Sequence, residues 1–156
     1  MKNNSKRDIA GIVFIALITY LIVIYIEEGL VLYETVSPPA GVNLEEWLSS
    51  FRLWALVGIT LSLFAGLLWY AMGQWVVKVD RWKEANKRPT WFLYSIIPLV
   101  GVVLGIVLTE RAQTGAWPAY IFFVCNCGFC FYIATAMFSP SSLKYVPPFA
   151  KKIRRW

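Results

Sequence analysis

Four stretches of the chain, residues 9–26, 53–77, 91–109 and 117–138, are apolar almost without interruption, and the polar and charged residues collect between them. A hydrocarbon core about 30 Å thick takes about 20 helical residues to cross, a length these stretches approach or exceed. None shows a 3.6-residue alternation of apolar and polar faces. A helix that is apolar all round is either buried in a large protein or immersed in lipid. A chain of 156 residues is too short to wrap four such helices in a soluble layer of its own. Short segments of alternating polarity, the mark of a membrane barrel, are also missing, and within lipid only helices and closed barrels satisfy the backbone. The pattern predicts an all-α integral membrane protein: a four-helix transmembrane bundle forming one domain over 1–156. The helices are expected at about 9–33, 47–77, 91–110 and 117–138, with a tail over 139–156.

Local signals refine the boundaries. Ser37-Pro38-Pro39 stops the first helix, since proline neither continues a helix nor favours one before it. Asn43, three residues before Glu46, reads as the N-cap of the second helix in a variant of the capping box. Tyr25, Tyr33, Trp47, Trp54, Trp69, Tyr70, Trp75, Trp91, Tyr94, Trp117 and Tyr120 fall near segment ends, where interfacial aromatic belts are expected. Pro118 suits the first turn of a helix. Pro98, in the first half of the third helix, predicts a kink. Small residues recur at four-residue spacing as Gly58, Ser62 and Gly66, with Gly73 a heptad further on, and again as Gly101 and Gly105. Such stripes bring helix backbones together, within one chain or between copies. Asn126, an amide deep in the fourth segment, is expected to hydrogen-bond to another helix or another protomer.

Charge sets an orientation. Lys and Arg number three before the first helix, one in the next connection, five in the second (Lys78, Arg81, Lys83, Lys87, Arg88), one in the third, and five in the tail (Lys144, Lys151, Lys152, Arg154, Arg155). Thirteen of the fifteen thus fall on one side of a four-span chain, and the positive-inside rule makes that side, with both termini, cytoplasmic. The first segment is too long for a cleaved signal sequence and is read as a retained helix. A net charge of +6 is accounted for by topology and by attraction to an anionic cytoplasmic leaflet, so no nucleic acid is required. The acids gather opposite: Glu27, Glu28, Glu34, Glu45 and Glu46 read as an outward acidic loop, its first part prolonging the first helix. The tail reads as an extended Pro147-Pro148 element and a basic end, lying on the membrane surface or acting as a docking peptide.

Chemistry is sparse. No Asp, Glu, Lys, Arg or His falls in the central part of a segment, where proton relays and ion-coupled transporters carry them. The chain has no His, the commonest catalytic base. All three cysteines lie in Cys125-Asn126-Cys127-Gly128-Phe129-Cys130. A C-x-x-C in a membrane helix of a four-helix chain resembles the quinone-linked thiol oxidoreductases, including the vitamin K epoxide reductase family. The resemblance covers helix count and this spacing, and implies thiol/quinone chemistry at Cys127 and Cys130. Those enzymes carry a second cysteine pair in an outward loop, and this chain has none. Three thiols without His make a poor metal site, and buried Cys otherwise behaves as a small hydrophobe. No metal or cofactor is expected. The reading that results is a non-catalytic membrane subunit: an anchor, sensor or assembly component of a bacterial inner-membrane complex in secretion, defence or envelope sensing. It would associate with itself or with a protein on the cytoplasmic side. The alternative is a homo-oligomeric channel lined by Thr60, Ser62, Ser95, Asn126 and Thr135.

Overall fold

The computed structural model describes the backbone of residues 2–32, 41, 43–78, 87–112, 117–140, 143 and 146–153. It describes the side chains of residues 5–30, 41, 43–74, 88–108, 120–140, 143, 146–150, 152 and 153. Among these the regular structure is entirely helical: α1 (Lys2–Ile22), a π-helical turn (Val23–Glu27), α2 (Glu28–Leu32), α3 (Leu44–Lys78), α4 (Lys87–Ala112), α5 (Trp117–Phe138) and α6 (Ala150–Ile153). Among the described residues four stretches are long and apolar enough to cross a membrane: Ser5–Leu30, Leu44–Gln74, Arg88–Leu108 and Tyr120–Phe138. Their outer faces carry exposed Phe14, Leu17, Leu21, Leu53, Phe64, Phe92, Leu99 and Val124, as a lipid-facing surface requires.

The first helix begins seven residues earlier than expected, because nothing between Lys2 and Asp8 breaks it, and Asp8 accepts a hydrogen bond from the Tyr70 hydroxyl at 3.2 Å. The second starts where its cap predicts. Asn43 Oδ1 accepts from the Glu45 amide at 3.0 Å, and the Asn43 carbonyl takes the first helical bond from Trp47. Pro98 lies inside α4, and the helix continues on both sides of it.

α3 and α5 form the central pair, with α4 packed on both of them and α1 on their other side. Successive long helices run antiparallel. Along α1 and α3, Asp8 meets Tyr70 and Glu28 meets Arg52. Along α3 and α4, Gly58 meets Gly101 and Trp69 meets Tyr94. Along α4 and α5, Trp91 meets Thr135 and Gly105 meets Phe123. The start of α1 and the segment after α5 therefore lie at the same end of the bundle, where the Phe138 ring sits against Gly11.

Glycine lets the α3 and α4 backbones meet. A Cβ on Gly101 would stand 3.1 Å from the Gly58 Cα, and one on Gly58 would stand 2.6 Å from the Cys127 Sγ. The inner face of α3 reads Trp47, Phe51, Ala55, Gly58, Ser62, Ala65, Trp69 and Gly73, all buried at steps of three and four. Here the structure departs from the interfacial belts. Trp47, Trp69, Tyr70 and Trp91 point into the bundle instead, because they fall on the same helical stripes as the small residues. Trp47 stacks on Phe51 at 5.5 Å.

Candidate functional site

Two polar assemblies interrupt the apolar interior, one towards each end. At the end away from the start of α1, Glu27 and Glu28 are buried rather than exposed in an outward loop. The inner stripe of the first helix runs Ile12, Ala16, Thr19, Val23 and Glu27, at steps of four, three, four and four. Glu27 is thus the next position on a face already committed to the interior. The π turn immediately before Glu28 adds a residue to the local winding, a device that recurs at functional sites. Adjacent residues on a helix point about 100° apart, so the two carboxylates reach different helices. Glu27 accepts a hydrogen bond from the Asn126 amide of α5 at 2.9 Å. Glu28 takes the Arg52 guanidinium of α3 bidentately, Nε to Oε1 and Nη2 to Oε2. Glu27, Glu28 and Arg52 therefore lie inside two candidate spans, near one end, and Asn126 finds its partner within the chain. Glu45 and Glu46 are exposed in the first turn of α3, and Glu34 lies outside the described residues.

At the other end the chain after α5 folds back. Trp69 Nε1 donates to Ser139 Oγ at 2.8 Å, and Ser139 in turn donates to the Thr135 carbonyl. Trp91 Nε1 donates to Thr135 Oγ1 at 3.1 Å, and the Tyr132 hydroxyl donates to the Pro148 carbonyl. Leu143 and Val146 pack into one apolar cluster with Trp69, Trp91 and Phe131. Pro147 is buried as well. The segment is turned rather than extended. The Leu143, Val146 and Ala150 amides donate to the carbonyls of Pro140, Leu143 and Pro147. Pro148 takes the second position of the last turn, which its fixed φ favours. Phe149 takes the third with φ 59°, a conformation costly for a bulky side chain. Phe149 is 71% exposed, with Lys152 Nζ 5.9 Å from its ring centroid. Lys152 is exposed within the basic run that starts at Lys151.

The other sequence-derived positions divide clearly. Gly58, Gly101 and Gly105 pack helices within the chain, the last against the Phe123 ring, and Ser62 donates to the Gly58 carbonyl. Gly66 has ordinary room beside Ile12 and Ala134. The five proposed pore-lining residues do not share a surface: Thr60 is exposed on α3, while Ser62, Asn126 and Thr135 are inside the bundle. Cys127 and Cys130 are buried free thiols, beside Ser62 and Thr19, and Cys125 is an exposed one. Among the described residues no cluster of potential metal ligands occurs. Arg88 is exposed at the start of α4. Lys78, Lys87 and Lys151 are described in backbone only, and Arg81, Lys83, Arg154 and Arg155 lie outside the described residues.

Sequence reading missed Thr135, Ser139 and the inward tryptophans as one unit. The available signal was register: Trp69 lies eleven residues after Gly58, on the small-residue stripe itself. Compared with known protein families, curated proteins and solved structures, the chain matches none.

Proposed function

We propose that this protein is a non-catalytic membrane subunit that presents a fixed docking platform on the cytoplasmic side of a bacterial inner membrane, both termini lying on that side. The observation that carries the reading is the C-terminal segment. Leu143 and Val146 pack against Trp69 and Trp91, Pro147 and Ala150 are buried beside them in sequence, and Phe149 is exposed at a positive φ. Backbone strain persists only where surrounding structure over-determines it, and it collects at functional positions. An exposed aromatic held this way beside Lys152, with Lys151, Arg154 and Arg155 adjacent in sequence, suits a partner surface that is acidic around an apolar socket. Aromatic and Arg side chains are the residues that most often anchor interfaces. The charge distribution supports the orientation.

The test is native mass spectrometry of the protein extracted gently from its own membrane. The expected result is a complex of fixed stoichiometry with a second protein. That complex should be lost when Lys151, Lys152, Arg154 and Arg155 are changed together to Glu, and kept when Lys2 and Lys6 are changed to Glu. A homo-oligomer without a second protein, or a complex indifferent to the C-terminal charges, would overturn the proposal.

A further inference from the structure

Between α4 and α5 a cleft of about 310 Å³ is lined by Trp91, Ser95, Pro98, Val102, Gly128 and Tyr132, among others. That volume is at the lower end of the about 300–1,000 Å³ typical of ligand pockets. Exposed Leu99 and Val124 also line it, one from each helix, so it opens towards the lipid-facing surface. Gly128 helps keep it open, since a Cβ at that position would meet nothing within 4 Å.

The polar groups in its wall are engaged with the protein. Trp91 Nε1 donates to Thr135, Ser95 Oγ to the Phe92 carbonyl, and the Tyr132 hydroxyl to the Pro148 carbonyl. What remains facing the cleft is apolar, which selects a hydrocarbon occupant. The cleft also has a charged end. Arg88, Trp91, Ser95, Pro98 and Val102 follow one another on α4 at steps of three and four, so they share one helix face. Arg88 is exposed one turn beyond Trp91, on the end of the bundle where the basic residues collect. A long basic side chain at a helix end reaches towards the headgroup level.

We propose that the α4–α5 cleft is a binding site for one anionic bilayer phospholipid, with an acyl chain along Pro98, Val102 and Gly128 and the phosphate on Arg88. Charge complementarity between Arg88 and a phosphodiester, in line with an apolar cleft of this size, selects this occupant over a second copy of the chain. It opens away from the docking platform, although Trp91, Phe131 and Tyr132 border both.

The test uses the full chain, delipidated in detergent and titrated with phosphatidylglycerol or phosphatidylcholine of identical acyl chains, and read by native mass spectrometry. One phosphatidylglycerol should be retained per chain, about fivefold more strongly than phosphatidylcholine, as one basic residue at a membrane surface provides. Arg88→Gln should remove that preference and keep the weaker, headgroup-independent adduct. Gly128→Leu, which fills open space and spares the fold, should lower retention of both lipids. Equal retention of the two lipids by the unaltered protein, or undiminished retention by Gly128→Leu with unchanged helicity and melting temperature, would overturn the site. A dimer that forms in place of lipid adducts and is lost in Gly128→Leu would also overturn it, assigning the cleft to a second copy.

Discussion

The Glu28–Arg52 pair is lopsided: the Arg52 side chain is 52% exposed and that of Glu28 only 3%. Removing each partner therefore leaves different debts. Arg52→Leu strands a buried carboxylate, which typically costs about 3–5 kcal/mol. Glu28→Gln leaves a guanidinium that swings to water or headgroups, with a loss of about 1 kcal/mol, as for an exposed pair. Thermal denaturation in detergent should thus rank Arg52→Leu well below Glu28→Gln, and equal losses would contradict the assigned burial. Phe149 carries the opposite expectation. Glycine accepts φ 59° without the penalty a Cβ incurs, so Phe149→Gly should hold or raise the melting temperature while weakening partner capture. A drop in stability with capture intact would make the ring a packing element.

Along the helices, what decides substitution is whether the neighbour is backbone or side chain. Gly101 faces the Gly58 backbone, so Gly101→Val drives α3 and α4 apart. Overpacking of this kind costs about 1–3 kcal/mol. Gly66→Ala meets only ordinary contacts, 3.6 Å from Ile12 and 3.7 Å from Ala134, and should be tolerated. Melting curves of the two variants side by side check the ranking. The four-residue spacing of Gly58, Ser62 and Gly66 was legible in the sequence, whereas its use, within one chain or between copies, was left open there. So was the Asn43 cap, a local interaction. The burial of Glu27 and Glu28 was not read from it, because the charge alone suggested solvent. Their partners, Asn126 and Arg52, are 99 and 24 residues away and become neighbours only once the helices pair. The folded-back C-terminal segment was hidden for the same reason: Pro147-Pro148 fits an extended segment or a turn, and only the tryptophans across the bundle decide between them.

For the molecule as a whole, four antiparallel helices place residues 5–8, 139–140, 143 and 146–150 at one end, and the Asn43 cap at the other. Phe138 beside Gly11 puts the two ends of the described chain together directly, and Asp8 beside Tyr70 and Ser139 beside Trp69 set both against the same end of α3. This arrangement has a consequence independent of which membrane holds the protein. Epitope tags fused to the two termini should be equally accessible to protease added from one side, and a tag inserted after Gly41 should be accessible only from the other. Thirteen of fifteen basic residues on the terminal side predict that this side is cytoplasmic, so in spheroplasts only the Gly41 tag should be cleaved. Cleavage of all three tags in inverted vesicles would mean that residue 41 does not reach the far side. Cleavage of one terminal tag in spheroplasts and of the other in inverted vesicles would require an odd number of crossings, incompatible with the pairing of α1 and α5. If both terminal tags were cleaved in spheroplasts and the Gly41 tag was protected, the bundle would stand and its orientation would reverse. The Phe149 platform would then face away from the cytoplasm, and its partner would have to be sought there.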